Sequence, residues 1–402
     1  MPLREGEFVI AHVQEWLELA ARWFHVVVGA AWIGTSFYFN WLNNNVREME
    51  TPEDGVKGDL WSVHGGAFYR VVKYQVAPAQ LPKTLHWFKY EAYFTWISGV
   101  CLLFLVYYLG ADGFLIDNEV AEISKGTAVG IGVGALVGGW IFYDLLCKSP
   151  LRQRPLVLGG LGFTVACAAA YGLCQVLSAR AAYIHIGAIL GTCMAGNVFF
   201  VIIPGQRKMV DAMIRGDEPD PEPGRAGSLR SLHNNYLTLP VLFIMVSSHY
   251  PMTYGHGWNW AILAGIALVG ALVRHWFNLH GLGRMNQWLL PAAALGFLGL
   301  AFVTRPVAVT DTGPAVSFSK EIHPIIHLRC TPCHAEAPTF EGIVGPQGGV
   351  LLETPAQIKG QAASINKNAV QSKYMPLGNL TQITPEERAL LGRWIQAGAA
   401  ID

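Results

Sequence analysis

The chain has 402 residues and a mass of 43.9 kDa, and it is 52% hydrophobic and only 14% charged, against the ~25% charged residues usual in soluble domains. That composition excludes an ordinary soluble enzyme. Twenty-eight Lys and Arg balance twenty-eight Asp and Glu, which argues against a nucleic-acid-binding polycation or an acidic tail. A mean hydropathy of +0.32, with 13 Trp and 14 Tyr, suits a chain partly embedded in lipid, with aromatic side chains for both membrane interfaces.

Taken in chain order, eight apolar stretches have about the length that carries a helix across roughly 30 Å of hydrocarbon. They run approximately 16–42, 91–110, 127–147, 156–177, 181–204, 235–253, 258–278 and 287–304. The expected fold class is therefore all-α: a polytopic bundle of eight spans over residues 1–305, a linker at 306–313 and a small soluble domain over 314–402. Met1–Glu18 carries Arg4, Glu5, Glu7, Glu15 and Glu18 where a cleavable signal would need an apolar core, so the first span is expected to act as its own insertion signal. Lys and Arg set the orientation, because they are retained on the cytoplasmic side. The loops after spans 1, 3, 5 and 7 hold Arg47, Lys57, Arg70, Lys73, Lys83, Lys89, Lys148, Arg152, Arg154, Arg207, Lys208, Arg215, Arg225, Arg230, Arg274 and Arg284. The opposite loops hold only Lys125 and Arg180. Sixteen against two places both termini, and with them the C-terminal domain, outside the cytoplasm.

Ionisable groups inside spans are costly and are functional candidates by default. Span 1 carries Arg22 and His25, three apart on one helix face; span 5 carries His185 and Asn197; span 6 opens at His233-Asn234-Asn235-Tyr236 and closes at His249. At 1.5 Å per residue, Arg22, His25, His185 and His249 share the outer half of the bilayer. Two readings of this outer group stay open. It could ligate a non-covalent haem b through two imidazoles. Alternatively it could form a polar pocket in which Arg22 pairs with an anionic aromatic substrate and histidine accepts protons. His249 and Arg274 also have the simpler reading of helix-end groups snorkelling to the interface. Gly130, Gly134 and Gly138 read as a small-residue helix-packing face. Cys101, Cys147, Cys167, Cys174 and Cys193 read as apolar fillers, and residues 61–74 as either an amphipathic element or a hairpin.

The C-terminal domain carries the strongest chemical signal, Cys330-Thr331-Pro332-Cys333-His334, the pattern of covalent c-type haem attachment. Two thiols three positions apart on one turn can each bind a haem vinyl group as a thioether, and the adjacent His334 then faces the iron. No second Cys pair completes a zinc site. Met375, in Tyr374-Met375-Pro376-Leu377-Gly378, is the expected second axial ligand, a soft thioether that raises the potential. Thr384-Pro385-Glu386-Glu387 starts a helix that would turn Leu390, Leu391 and Trp394 toward the haem, as in a small class I-like cytochrome c.

The order of eight spans and one haem domain, with Arg22-Trp23-Phe24-His25, Trp32-Ile33-Gly34 and His233-Asn234-Asn235-Tyr236-Leu237-Thr238-Leu239-Pro240, resembles the membrane-bound cytochrome c urate oxidase (urate hydroxylase) family. The resemblance implies a bacterial inner-membrane enzyme of purine catabolism, with its haem domain in the periplasm. It implies oxidation of urate to 5-hydroxyisourate, electrons passing through haem c to a respiratory cytochrome c, and no peroxide; Arg22, with His25, His185 or the Asn234 and Asn235 amides, could then bind the urate anion and take its protons. The alternative from another class is a b/c-type membrane cytochrome passing electrons from quinol to a periplasmic acceptor.

Overall fold

The computed structural model describes residues 5–306, 313–341, 343 and 345–402, with side chains described from His12 onward. Long helices occupy all eight of the expected apolar segments: α1 (Glu5–Asn45), α2 (Tyr90–Tyr108), α3 (Lys125–Lys148), α4 (Pro155–Cys174), α5 (Ala179–Arg215), α6 (Glu222–Ser247), α7 (Asn259–Gly281) and α8 (Leu289–Val303). Among the described residues, α2, α3, α4, α5 and α7 are long and apolar enough to cross a membrane. The apolar helix α8 has 15 residues, and α6 begins with the charged turn around Glu222 and Arg225 and carries Pro240 inside it.

α5 is the hub, packing on α2, α3, α4 and α6. Close approach to α3 depends on glycine, but on a different face from the one expected. A Cβ on Gly130, Gly134 or Gly138 would meet nothing within 4 Å, whereas one on Gly132 would lie 2.5 Å from His185 Nε2 and one on Gly139 2.6 Å from Ile189. The small-residue repeat therefore faces away from the helix contact, and the packing face is displaced along α3. Two segments of the long helices widen to i→i+5 hydrogen bonding, Leu103–Tyr108 at the end of α2 and Asn197–Ile202 within α5. Such bulges accompany functional positions, and here they carry Tyr107, Tyr108 and Asn197.

The all-α expectation needs one correction. Val56–His64 and Ala67–Tyr74 pair as an antiparallel hairpin, β1 and β2, with Trp61 opposite Arg70 and Val63 opposite Phe68. Gly65 and Gly66, both at positive φ in the turn, select the hairpin. It lies at the end of the bundle where Arg47 donates to the Gly281 carbonyl at 3.0 Å.

The C-terminal residues have their own core, built on Phe318, Ile322, Ile326, Leu352, Leu391 and Trp394. Its main helices are α9 (His323–Arg329) and α10 (Pro385–Gln396). As the sequence predicts, Thr384 caps α10; Glu387 reaches back to complete a reciprocal capping box. Within the expected linker, residues 307–312 lie outside the described residues. The C-terminal unit rests on the connections that follow α2, α4 and α6, at the end of the bundle opposite the hairpin. Gly378, at φ 55, lies so close that an added Cβ would be 2.6 Å from the Asp112 carbonyl and 2.8 Å from that of Ile116.

Candidate functional site

Three groups of side chains stand out, and each begins with local structure. The first is the Cys330–His334 turn. The end of α9 continues as a single turn in which Cys333 and His334 both donate backbone N–H groups to the Cys330 carbonyl, at 3.1 and 3.0 Å. Both thiols are free, and Cys330 packs against the same core as Met375. Burial pushes the Cys330 thiol up to about 12 and lowers the basicity of His334. His334 Nδ1 lies 3.3 Å from the Val350 carbonyl, so the ring proton resides there and Nε2 keeps its lone pair, the arrangement that orients a ligating histidine. Trp394 is 2% exposed, tilts against Phe318 at 5.6 Å and donates its indole N–H to the Ala400 carbonyl at 2.8 Å. The Met375 loop is fastened by the buried Arg388, which donates to the Met375 carbonyl at 2.6 Å and to that of Ala369, and reaches Glu119 of the bundle at 3.4 Å.

Buried polar networks within the bundle form the second group. Asn197 donates to Tyr143 Oη and to Asn234 Oδ1, both at 2.8 Å, and accepts from Arg230 at 3.0 Å. Arg230, 4% exposed, pairs with Asp144 at 2.7 Å, while His233 meets Tyr143 at 2.9 Å. One residue on, Asn235 points to a different set, accepting from Arg274 Nε and Asn278 Nδ2, each at 2.9 Å. Arg274 lies 4.2 Å over the Phe37 ring and is buried, so it is not the snorkelling helix-end cation that its position suggests.

The outer group expected from the sequence is not assembled. Arg22 is half exposed and pairs with Glu18 at 3.3 Å. His25 bonds Ser98 at 2.8 Å, and His249 is exposed. His185 is fully buried, with Nδ1 2.8 Å from the Ala181 carbonyl and Nε2 3.3 Å from Tyr108 Oη. His25 and His185 thus contact α2 at Ser98 and Tyr108, about 12–15 Å apart along the helix, and do not oppose each other across a common space. Asn234 and Asn235 bond neither Arg22 nor one another. The reason is helical phase: residues sorted by depth alone fall on different faces and meet different neighbours.

The third group went unanticipated. Arg180, the second residue of α5, sits where the C-terminal unit meets the bundle. Its Nη1 donates to Tyr374 Oη at 2.6 Å, and its guanidinium lies 5.8, 5.4 and 5.7 Å from the rings of Tyr107, Phe114 and Tyr374. Tyr254 packs edge-on against Tyr374 at 5.7 Å. Of the nearby carboxylates, Asp112 pairs with Lys125 and Glu119 with Arg388, while Asp117, on the same cleft, accepts the Glu119 backbone N–H at 3.0 Å. In sequence Arg180 reads as a lone loop charge; only its aromatic surroundings, drawn from four separate segments, distinguish it. Among the described residues no three His, Cys, Asp or Glu side chains converge as a metal-ion site.

These features define a class: a helical bundle containing helices able to cross a membrane, with a small helical unit bearing C-x-x-C-H seated on one end. More particularly, the family model described as Urate oxidase N-terminal matches residues 11–305, and the chain belongs to that family. The match covers the bundle and stops before the C-x-x-C-H unit. Neither a curated protein nor a solved structure shows significant similarity.

Proposed function

We propose that this chain is a membrane-bound, cytochrome c-linked urate oxidase, converting urate to 5-hydroxyisourate in an eight-span membrane domain without making peroxide. The reading places the C-terminal unit in the periplasm of a bacterial inner membrane. The observation that carries it is a juxtaposition: the bundle matched by the urate oxidase family touches, through Arg180 and Glu119, the loop that bears Met375.

Urate becomes 5-hydroxyisourate by loss of two electrons and addition of water at C5, with two protons released from the neutral acid and water taken together. Cys330 and Cys333 would hold a haem c through thioethers, and His334 and Met375 would hold its iron. The His334 ring, oriented through Nδ1 by the Val350 carbonyl, and the shared apolar core of Cys330 and Met375 fit that group. When bound, haem c supplies one-electron transfer toward a respiratory cytochrome c. The bundle's own residues would bind the anion and carry protons. His185 keeps its Nε2 lone pair because its Nδ1–H is committed to Ala181, and Tyr108 Oη beside it forms a two-member proton path. His25 and His185 contact α2 at Ser98 and Tyr108 and not one another, which supports the urate reading over a b/c cytochrome that draws on that pair.

Purified membranes test the reading. Urate-dependent reduction of a covalent haem, with hydroxyisourate formed and no peroxide, is expected. Cys330→Ala and Cys333→Ala should abolish covalent pigment and turnover while the bundle still inserts. Reduction by quinol but not by urate would overturn the proposal.

A further inference from the structure

We infer that urate binds in the cleft between the bundle and the C-terminal unit, against Arg180, and not in the polar interior of the bundle. This rests on the urate reading above and names its site. The cleft holds about 250 Å³ and is lined by Phe114, Asp117, Arg180, Tyr254, Asn259 and Tyr374 among others.

The cleft combines what a flat, delocalised anion requires. Its cation is Arg180, whose Nη1 is bonded to a neutral phenol and whose Nε is buried without a partner; leaving such a donor unmet costs free energy that a ligand oxyanion would recover. The guanidinium also stands in the first turn of α5, capped by Ser178, where the helix dipole adds positive potential. Lys373 lines the same cleft. Planar walls come from Phe114 and Tyr374, backed by the buried Tyr254, and suit stacking on a purine ring system. Asp117 and Asn259 offer an acceptor and an amide to the ring N–H and C=O groups. The alternative pocket around Asn235 is less suited: Arg274 is already bonded to Asn235 through Nε and stacked on Phe37.

Position supports the same choice. Tyr374, which touches Arg180, is bonded in sequence to Met375, so a ligand in the cleft lies beside the loop expected to carry the iron ligand. The Asn235 cluster lies about halfway along α6, on the order of 18 Å of helix from its cleft-side end.

The test is urate binding to the full-length, haem-loaded protein by titration calorimetry with no electron acceptor added. Arg180→Gln should raise the dissociation constant by roughly 10- to 100-fold, as expected for losing charge-assisted hydrogen bonds, and Arg180→Lys by less. Val120→Trp, at an exposed wall position of the cleft, removes no buried charge and should weaken binding at least as much as Arg180→Lys. Both effects should appear with an unchanged visible haem spectrum. Wild-type affinity in both Arg180→Gln and Val120→Trp, with urate still oxidised, would overturn the site while leaving the urate reading intact. Loss of binding in Arg274→Gln alone would move the site to the bundle interior and equally overturn it. A wild-type protein that neither binds nor oxidises urate would overturn the functional reading together with the site.

Discussion

Arg388 links the Met375 loop to the bundle, and its replacement gives a sharp energetic test. Arg388→Met keeps most of the buried aliphatic stem but removes the donors to the Met375 and Ala369 carbonyls and the partner of Glu119. Hydrogen bonds from a charged donor contribute about 1.5–3 kcal/mol each. The pair with Glu119, whose carboxylate is a third exposed, contributes about 0–1 kcal/mol. Two carbonyls lose their donor, so the expected loss is about 3–5 kcal/mol, concentrated in the loop. Hydrogen exchange read by mass spectrometry on peptides covering 366–379 suits the full chain, because it reports local opening. Met375 N–H, bonded to the Asn368 carbonyl at 2.9 Å, is the reporter and should exchange about 10²–10⁴-fold faster. Glu119→Gln should accelerate it by only a few fold. An Arg388→Met protein whose loop exchanges within about threefold of wild type would refute the assignment of Arg388 as the fastener.

Gly132→Ala should lower thermal stability in detergent by about 1–3 kcal/mol, since its Cβ would press on His185 and Tyr108; Gly134→Ala, with open space, should be neutral or slightly stabilising, and equal melting of the two variants would contradict the packing face. Asp144→Asn leaves Arg230 buried without its carboxylate and should cost about 3–5 kcal/mol, visible as a lowered melting temperature; a shift within error would show that the pair is dispensable. Burial raises the Asp117 carboxyl above its ordinary value, against partial relief from the Glu119 N–H and Arg388. An acid raised in the fold stabilises fully at low pH and loses that contribution as pH climbs through the folded value. Unfolding measured from pH 4 to 7 should therefore show a decline that Asp117→Asn flattens, and an unchanged profile would argue that the carboxyl is solvated.

Much of the helical layout was legible because apolar runs and caps are local signals. Thr384 with Glu387, and the segments that became α2 to α5, needed no knowledge of distant residues. Facing was less legible. The glycine repeat in α3 was real, yet the contacting face was Gly132 and Gly139, because helical phase is fixed only by what a neighbour presents. The hairpin at 56–74 lay within a segment whose apolar and polar residues do not alternate cleanly, so its pattern did not separate it from an amphipathic turn. Depth alone grouped Arg22, His25, His185 and His249, which the structure distributes over different faces. Arg180 was invisible for the opposite reason: its character comes from Tyr107, Phe114, Tyr254 and Tyr374, spread over almost 270 positions of sequence.

The adjacency of Tyr374 and Met375 carries a mechanical consequence. One peptide unit belongs to two neighbourhoods, its tyrosine gripping the bundle's arginine and its methionine facing the core around Cys330. Whatever shifts the first tugs the second, so under the proposed function occupancy of the cleft and the midpoint potential of a haem held at Met375 should be thermodynamically reciprocal. On that proposal a bound ligand would tune the potential of the neighbouring haem, and the haem's oxidation state would feed back on how tightly the ligand is held.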